Sequence, residues 1–399
     1  MSLTISKHCA SITPSVTLSI NSKSNEMREK GIDVISFGAG EPDFCTPEYI
    51  CNAAIEAIRH GKTKYTASSG TVKLRKAIAD KLLRDNGLSY GADEIIVSNG
   101  AKQSLYIALQ AMLDPGDEVL IPSPCWVSYP EMVRMCSGVP VYIRTSEERG
   151  FIPSAEDIEK MITPKTKVFI LTSPSNPNGF VYDYEHMKAI AELAVKHQFY
   201  ILSDEIYEKL IYDGKKHISI ASISEEVKKQ TIVVNGMSKA YAMTGWRIGY
   251  AAGPKDVIKA MGSYQSHATS NANSIAQEAA TEALSREDDD MKKMVDEFEA
   301  RRDLAYNMIN AIPDMRCVRP EGAFYIMCNI SKFLGKSYNG KKLSTSVELC
   351  SALLENFHVA VVPGEAFEAP NYFRISYAIS RSQIKTGLER IAAFVSALQ

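Results

Sequence analysis

The sequence predicts an α/β fold, a mainly parallel sheet of about seven strands with helices packed on it, beside a smaller α+β domain. Three observations predict it. Between about Glu94 and Gly253, short apolar runs rich in Val and Ile alternate with amphipathic stretches. These runs lack polar alternation, which is how strands buried on both faces read. After about residue 287 the pattern changes to one long charged helix, then short strands, then a terminal helix.

The elements follow in order. "TPEYICNAAIEAIRHG" (46–61) reads as a helix with Thr46 as N-cap, Pro47 at the first helical position and Gly61 at the end. The strands of the sheet are "EIIVS" (94–98), "EVLIP" (118–122), "VPVYI" (139–143), "KVFILTS" (167–173), "FYILS" (199–203), "TIVVN" (231–235) and "RIGYAAG" (247–253). Helical stretches such as "AKQSLYIALQAML" (101–113) and "YEHMKAIAELAVKH" (184–197) lie between many of them. A charged helix at 286–312 leads into strands at 323–330, 359–364 and 372–379, and a helix at 380–398 closes the chain. The expected division is an N-terminal arm with part of the small domain (1–45), a large domain (46–287) and a small C-terminal domain (288–399).

The chain has 399 residues and 45% hydrophobic content, too long for one small domain. Its net charge is −2 and its lysines are spread out, so no nucleic-acid partner is expected. No apolar run reaches the roughly 18–20 residues of a membrane span. The start, "MSLTISKHCASITPS", has no apolar signal-like stretch. Eight cysteines, at 9, 45, 51, 125, 136, 317, 328 and 350, form no CxxC and no metal spacing with histidine. Free thiols in a reducing cytoplasm, and no metal, are the expectation.

In open α/β sheets, ligands bind beyond the carboxyl ends of the strands. The residues there are therefore the candidates. After 94–98 comes Asn99–Gly100–Ala101–Lys102, a small-residue turn opening a helix and suited to a phosphate. Neither GxGxxG nor GxxxxGK[ST] is present. After 118–122 comes Trp126, one of two tryptophans, a platform for a flat ring or a core residue. After 167–173 comes "PSNPNG", with Asn176 held just before Pro177. After 199–203 comes Asp204, whose buried carboxylate needs a cationic partner or serves as a helix N-cap, and then Tyr207. After 231–235 comes Lys239, a nucleophilic amine if desolvated, and eight residues on Arg247, an anion fork. Each has an ordinary structural reading on its own. As a set they match one cofactor. Pyridoxal phosphate needs a lysine for a covalent link, a carboxylate at its ring nitrogen and an anchor for its phosphate.

With these residues in hand, the sequence closely resembles the class I aminotransferases, which are fold type I pyridoxal-phosphate enzymes. It is most similar to the branch of bacterial-type aspartate and aspartate/prephenate aminotransferases. The likeness runs from about residue 12 to the C-terminus. It is carried by "AGEPDF" (39–44), "GKTKYT" (61–66), "GAKQSL" (100–105), "SPCWVSYPEM" (123–132), "SPSNPNG" (173–179), "SDEIYE" (203–208), "SKAYAMTGWRIGY" (238–250), "GAFY" (322–325) and "FRISYA" (373–378).

The resemblance implies a role for each matched residue. Lys239 would hold the cofactor covalently and shuttle a proton. Asp204 would pair with the protonated ring nitrogen. Tyr207 and Asn176 would bond the phenolic oxygen, and Trp126 would stack on the ring. Gly100, Ala101 and Arg247 would hold the phosphate, joined by Tyr65 from a neighbouring subunit, so a homodimer is implied. Arg374 would fork the substrate α-carboxylate beside the Gly40 backbone. Lys102, with Ser15 and Thr17, would receive the distal carboxylate of a dicarboxylic substrate or of prephenate. Two positions depart from the family. Asn178 stands where threonine is frequent, and Gly236 where serine is frequent, with Ser238 left without an assigned role. The same scaffold supports a cysteine-S-conjugate β-lyase or an aminotransferase of aromatic or neutral amino acids, and fold alone does not choose. A cofactor-sensing regulator would need an added DNA-binding domain, for which no room is expected before Ile12.

Overall fold

The computed structural model describes residues 4–10, 12–14, 16–285 and 289–399. A short strand β1 (Ile35–Ser36) precedes a seven-stranded sheet. That sheet contains β2 (Ile95–Asn99), β3 (Glu118–Ser123), β4 (Val139–Arg144), β5 (Thr166–Thr172), β6 (Tyr200–Asp204), β7 (Thr231–Gly236) and β8 (Ile248–Ala252), in the order β2-β8-β7-β6-β5-β3-β4. The apolar runs therefore became strands, and β7 and β8 are buried along their whole length.

Strand β8 is antiparallel to both its neighbours, while the other pairings are parallel. This has a consequence for the site. Asn99 at the carboxyl end of β2 lies opposite Ile248 at the amino end of β8. Arg247, which precedes β8, thus reaches the same edge as the carboxyl ends of the parallel strands.

A second body follows. Strands β9 (Arg316–Cys317) and β10 (Tyr325–Asn329) precede a small hairpin, β11 (Ser337–Tyr338) and β12 (Lys341–Lys342). Then come β13 (Val359–Ala360), β14 (Val362–Pro363) and β15 (Tyr372–Ser376). The apolar run at 359–364 is split: β13 pairs with β1, whereas β14 joins the sheet β14-β15-β10-β9. We propose the same division of the chain as the sequence suggested. It is supported by the large sheet lying wholly between Ile95 and Ala252. The second boundary falls at 286–288, outside the described residues, as does the expected start of the charged helix, which is described from Asp289 to Asn310.

One core joins the two bodies. Ile206, Tyr207, Leu210 and Tyr212, which follow β6, pack with Phe298, Phe324 and Tyr325. The turn that follows Asp204 and carries Tyr207 is thereby wedged against the strand end that carries Tyr325.

One local reading is corrected. Thr46 does not cap its helix. The helix runs Glu48–Arg59, with Pro47 at the cap position and no side-chain cap bond. The Thr46 hydroxyl instead donates to the Ala242 carbonyl and accepts from the Trp246 indole, so a tertiary contact outcompetes the local cap. Likewise Asp204 caps no helix: its Oδ1 accepts the Ile206 N–H within a turn.

Candidate active site

A cavity of about 410 Å³ opens between the two bodies at the strand ends. It is lined by residues the sequence singled out: Gly40, Ala101, Lys102, Trp126, Asn176, Asp204, Tyr207, Lys239, Arg247 and Arg374. Four of its lining side chains are cationic (Lys102, Lys239, Arg247, Arg374) and two are carboxylates (Glu41, Asp204). The surplus of positive charge suits a ligand carrying more than one negative group.

The anion seat lies at β2 and β8. Gly100 has φ +81°, a region only glycine enters freely, and it starts the helix Ala101–Met112 with no side-chain cap. A Cβ at Gly100 would meet Arg247 Nη2 at 2.4 Å, and one at Gly249 would meet the Ala101 nitrogen at 2.2 Å. Glycine at both positions lets a guanidinium and a helix N-terminus converge, a ready anion site. Arg247 is itself braced, donating from Nη1 to the Thr244 carbonyl at 2.9 Å.

Lys239 sits beyond the end of β7. Its ammonium donates to the Gly40 carbonyl. Burial, with Arg247 and Arg374 adding repulsion and Glu41 and Asp204 opposing it, lowers its pKa from 10.5 to about 8. An amine at that value is partly unprotonated near neutrality and can act as nucleophile or base.

Asp204 ends β6 and is 4% exposed. Burial pushes its carboxyl up to about 6, against hydrogen bonds from Tyr129 and the Ile206 amide. The Tyr129 hydroxyl donates to Oδ2 at 2.7 Å. Tyr207 is buried beside it, its hydroxyl 3.0 Å from that of Tyr325.

Arg374 comes from β15, in the other body. It is 2% exposed and stacks on Tyr325, 4.3 Å from guanidinium carbon to ring centroid, with Phe367 at 4.8 Å. Nη1 donates to Asn176 Oδ1 at 2.9 Å, while Nε and Nη2 are buried with no partner among the described residues. A buried guanidinium edge left this way is costly unless an anion meets it. With its oxygen engaged by Arg374, Asn176 has its amide N–H groups to offer the cavity. Lys102 stands over Trp126, Nζ 4.7 Å from the ring centroid, and its pKa is lowered by burial and then by Arg247.

Tyr65 is not in this lining. It is 92% exposed on the outer surface. Ser15 lies outside the described residues. Thr17 falls on the helix Val16–Glu29, with its side chain outside the described set. Gly236 leaves no room for the family's serine, because a Cβ there would meet the Ile248 oxygen at 2.8 Å and the Gly249 Cα at 2.9 Å.

The sequence reading missed Glu41, Tyr129, Thr244 and Tyr325, all in the lining. All four lay inside quoted motifs, and Tyr129 follows Trp126 within one turn, its amide donating to the Trp126 carbonyl. Behind the site, Glu205, Glu208 and His217 bring possible ligand atoms within 4.8 Å of one another. Protein groups already engage both carboxylates: Lys81 and Asn86 bond Glu208, and Ser203, Ser219 and His217 bond Glu205.

With this geometry in view, comparison with known proteins places the chain. Residues 32–391 match the family model "Aminotransferase class I and II". The chain is 49% identical to an aspartate aminotransferase of Geobacillus stearothermophilus, over 98% of this chain and 99% of that one. It is 48% identical to a probable aspartate/prephenate aminotransferase of Aquifex aeolicus, over 95% of each. The crystal structure of the aspartate aminotransferase from Rhizobium meliloti superposes with a TM-score of 0.96 at 46% identity, covering all of both chains. The chain belongs to the class I and II aminotransferases and has the fold of these enzymes.

Proposed function

We propose that this protein is an aspartate aminotransferase that uses pyridoxal phosphate, moves an amino group between aspartate and 2-oxoglutarate, and works as a cytoplasmic homodimer. One observation carries the reading: a single cavity holds Lys239, Asp204 and an Arg374 whose Nε and Nη2 have no partner among the described residues. The names of the relatives support aspartate as the donor.

The residues fit the cofactor. Ala101 and Arg247, brought together by Gly100 and Gly249, suit the phosphate. Asp204 suits a protonated ring nitrogen, because a buried carboxylate gains most from a cation beside it. Trp126 offers the ring a flat face, and Tyr207 and Asn176 offer donors to its phenolic oxygen. When bound, pyridoxal phosphate supplies an electron sink that acidifies the α-hydrogen of an amino acid and a carbon that accepts and returns the amino group.

The chain's own residues do the rest. Arg374 binds the α-carboxylate through its unpartnered edge, a bidentate arrangement that also orients the α-hydrogen. Lys239, with its lowered pKa, takes that proton and returns it. Asp204 holds positive charge at the ring nitrogen. Lys102, over Trp126 in the same cavity, meets the distal carboxylate, with Ser15 and Thr17 proposed beside it. Prephenate carries a distant carboxylate too and is proposed as a second acceptor. Tyr65 is proposed to reach the partner's phosphate, a role supported by its full exposure and by exposed Ile55, Ile58 and Val72 on the neighbouring stretch.

The test is a half-reaction screen. Protein loaded with pyridoxal phosphate is mixed with single amino acids, and conversion to pyridoxamine phosphate is followed by absorbance. Aspartate and glutamate should convert fastest. Faster conversion by alanine or phenylalanine would overturn the dicarboxylate reading.

A further inference from the structure

We infer that Tyr129 is a positioning residue for Asp204, the middle member of a one-way hydrogen-bond chain that runs from Thr172 through Tyr129 to the carboxylate. The inference rests on the cofactor reading above and extends it to a residue whose hydroxyl is engaged by Asp204 and Thr172.

The direction of the chain is forced. An ionised carboxylate only accepts, so the Tyr129 phenol donates to Asp204 Oδ2 at 2.7 Å. Its single proton is then committed. The phenol oxygen must therefore accept from the Thr172 hydroxyl at 2.6 Å. Each donor polarises the next, which strengthens both bonds. The three residues are held by three elements: Thr172 and Asp204 are register partners at the ends of β5 and β6, and Tyr129 lies in the first turn of the helix Ser128–Met135. Tyr129 is 2% exposed.

Tyr129 also touches the other face of the site. Its ring meets Trp126 edge-on, with centroids 5.3 Å apart and planes at 85°. One side chain thus braces both the carboxylate that would meet the ring nitrogen and the indole that would lie against the ring face. The charged and titratable groups around Asp204 are Tyr129, Tyr207, Glu205 and Lys239. Burial raises the Asp204 pKa, Glu205 adds to that, and Lys239 opposes it less than Tyr129 does. Burial and the Asp204 charge hold the Tyr129 hydroxyl well above its ordinary pKa, so it stays a donor.

The experiment uses Tyr129→Phe, Thr172→Val and Thr172→Ser, each in the full chain, and reads two nuclei. In cofactor-free protein with carboxyl-13C aspartate, the Asp204 signal, assigned by its loss in Asp204→Asn, is titrated. Tyr129→Phe should raise its midpoint by about one pH unit, the roughly tenfold change of one hydrogen bond to a charge. Thr172→Val should raise it less, and Thr172→Ser should match wild type. In protein loaded with 15N-pyridoxal phosphate, the ring nitrogen of Tyr129→Phe should lose its proton at lower pH than in wild type. An unchanged carboxyl midpoint in Tyr129→Phe, with only a lower melting temperature, would overturn the inference and leave Tyr129 a packing residue. Failure of wild type to bind the cofactor would instead overturn the cofactor reading, and the carboxyl titration would still decide the hydrogen-bond chain.

Discussion

Arg374 on β15 and Asn176 after β5 are joined across the cleft by a 2.9 Å hydrogen bond that consumes one guanidinium nitrogen and leaves two without a partner among the described residues. A lysine at 374 would keep the charge and lose the fork. Arg374→Lys should therefore lower kcat/KM for every amino donor alike. Losing one or two hydrogen bonds to a charged group, at about 1.5–3 kcal/mol each, corresponds to roughly ten- to ten-thousandfold. Steady-state kinetics with aspartate, glutamate and alanine checks it. A loss confined to dicarboxylic donors would mean that Arg374 reads the side chain.

Lys102 should behave in the opposite way. Lys102→Ala should lower kcat/KM for aspartate and glutamate by about ten- to a hundredfold, the worth of one charge-assisted hydrogen bond. Alanine and phenylalanine should change little. An equal loss for all donors would assign Lys102 to the cofactor phosphate, which its repulsion with Arg247 allows. Arogenate formation from prephenate with glutamate as donor should fall in the same variant.

Lys239 has its pKa lowered from 10.5 to about 8, so its free amine becomes abundant about two and a half pH units earlier than for an ordinary lysine. The rate at which cofactor-free protein captures pyridoxal phosphate should rise with pH and level off near 8. Stopped-flow absorbance measures it. A rate still rising through pH 10 would contradict the lowered value. Borohydride should fix the cofactor to Lys239, and Lys239→Ala should bind it without turnover.

Asp204 has a folded pKa raised to about 6 from 3.8. The sign follows: the folded state prefers the protonated form, so stability is lost as pH rises through about 6. In cofactor-free protein, Asp204→Asn should melt at a higher temperature than wild type at pH 8. The gap, at most about 3 kcal/mol at 1.36 kcal/mol per pKa unit, should shrink toward pH 5. The same substitution should sharply lower turnover. Calorimetry across that range decides it, and a gap that widens on acidification would contradict the assignment.

Much of this was legible in the sequence, for physical reasons. Strands buried on both faces are written as unbroken apolar runs, so the inner strands of the large sheet could be read, while the half-buried edge strand β4 was marked only by its Val and Ile content. Residues just past those runs fall at one sheet edge, which exposed Asp204, Asn176 and Lys239. What stayed hidden depends on tertiary pairing. Nothing local marks β8 as antiparallel, yet that reversal brings Arg247 to Gly100. Thr46 carries a good cap signal, but Ala242 and Trp246 claim its hydroxyl. Tyr129 finds its partner 75 residues away, a distance no periodicity reveals.

The proposed homodimer, in which the exposed Tyr65 would reach the partner's phosphate, is tested by mass. Light scattering should give a mass near twice 44.0 kDa, and a fully active monomer would refute the dimer.

The central claim is transfer of an amino group from aspartate through Lys239 and its cavity, and one measurement tests it most directly. Protein loaded with pyridoxal phosphate is given 15N-aspartate and 2-oxoglutarate, and the products are followed by NMR. The account predicts 15N-glutamate and oxaloacetate in equal amounts, and neither with Lys239→Ala. Free 15N-ammonia without labelled glutamate, or undiminished transfer by Lys239→Ala, would contradict it.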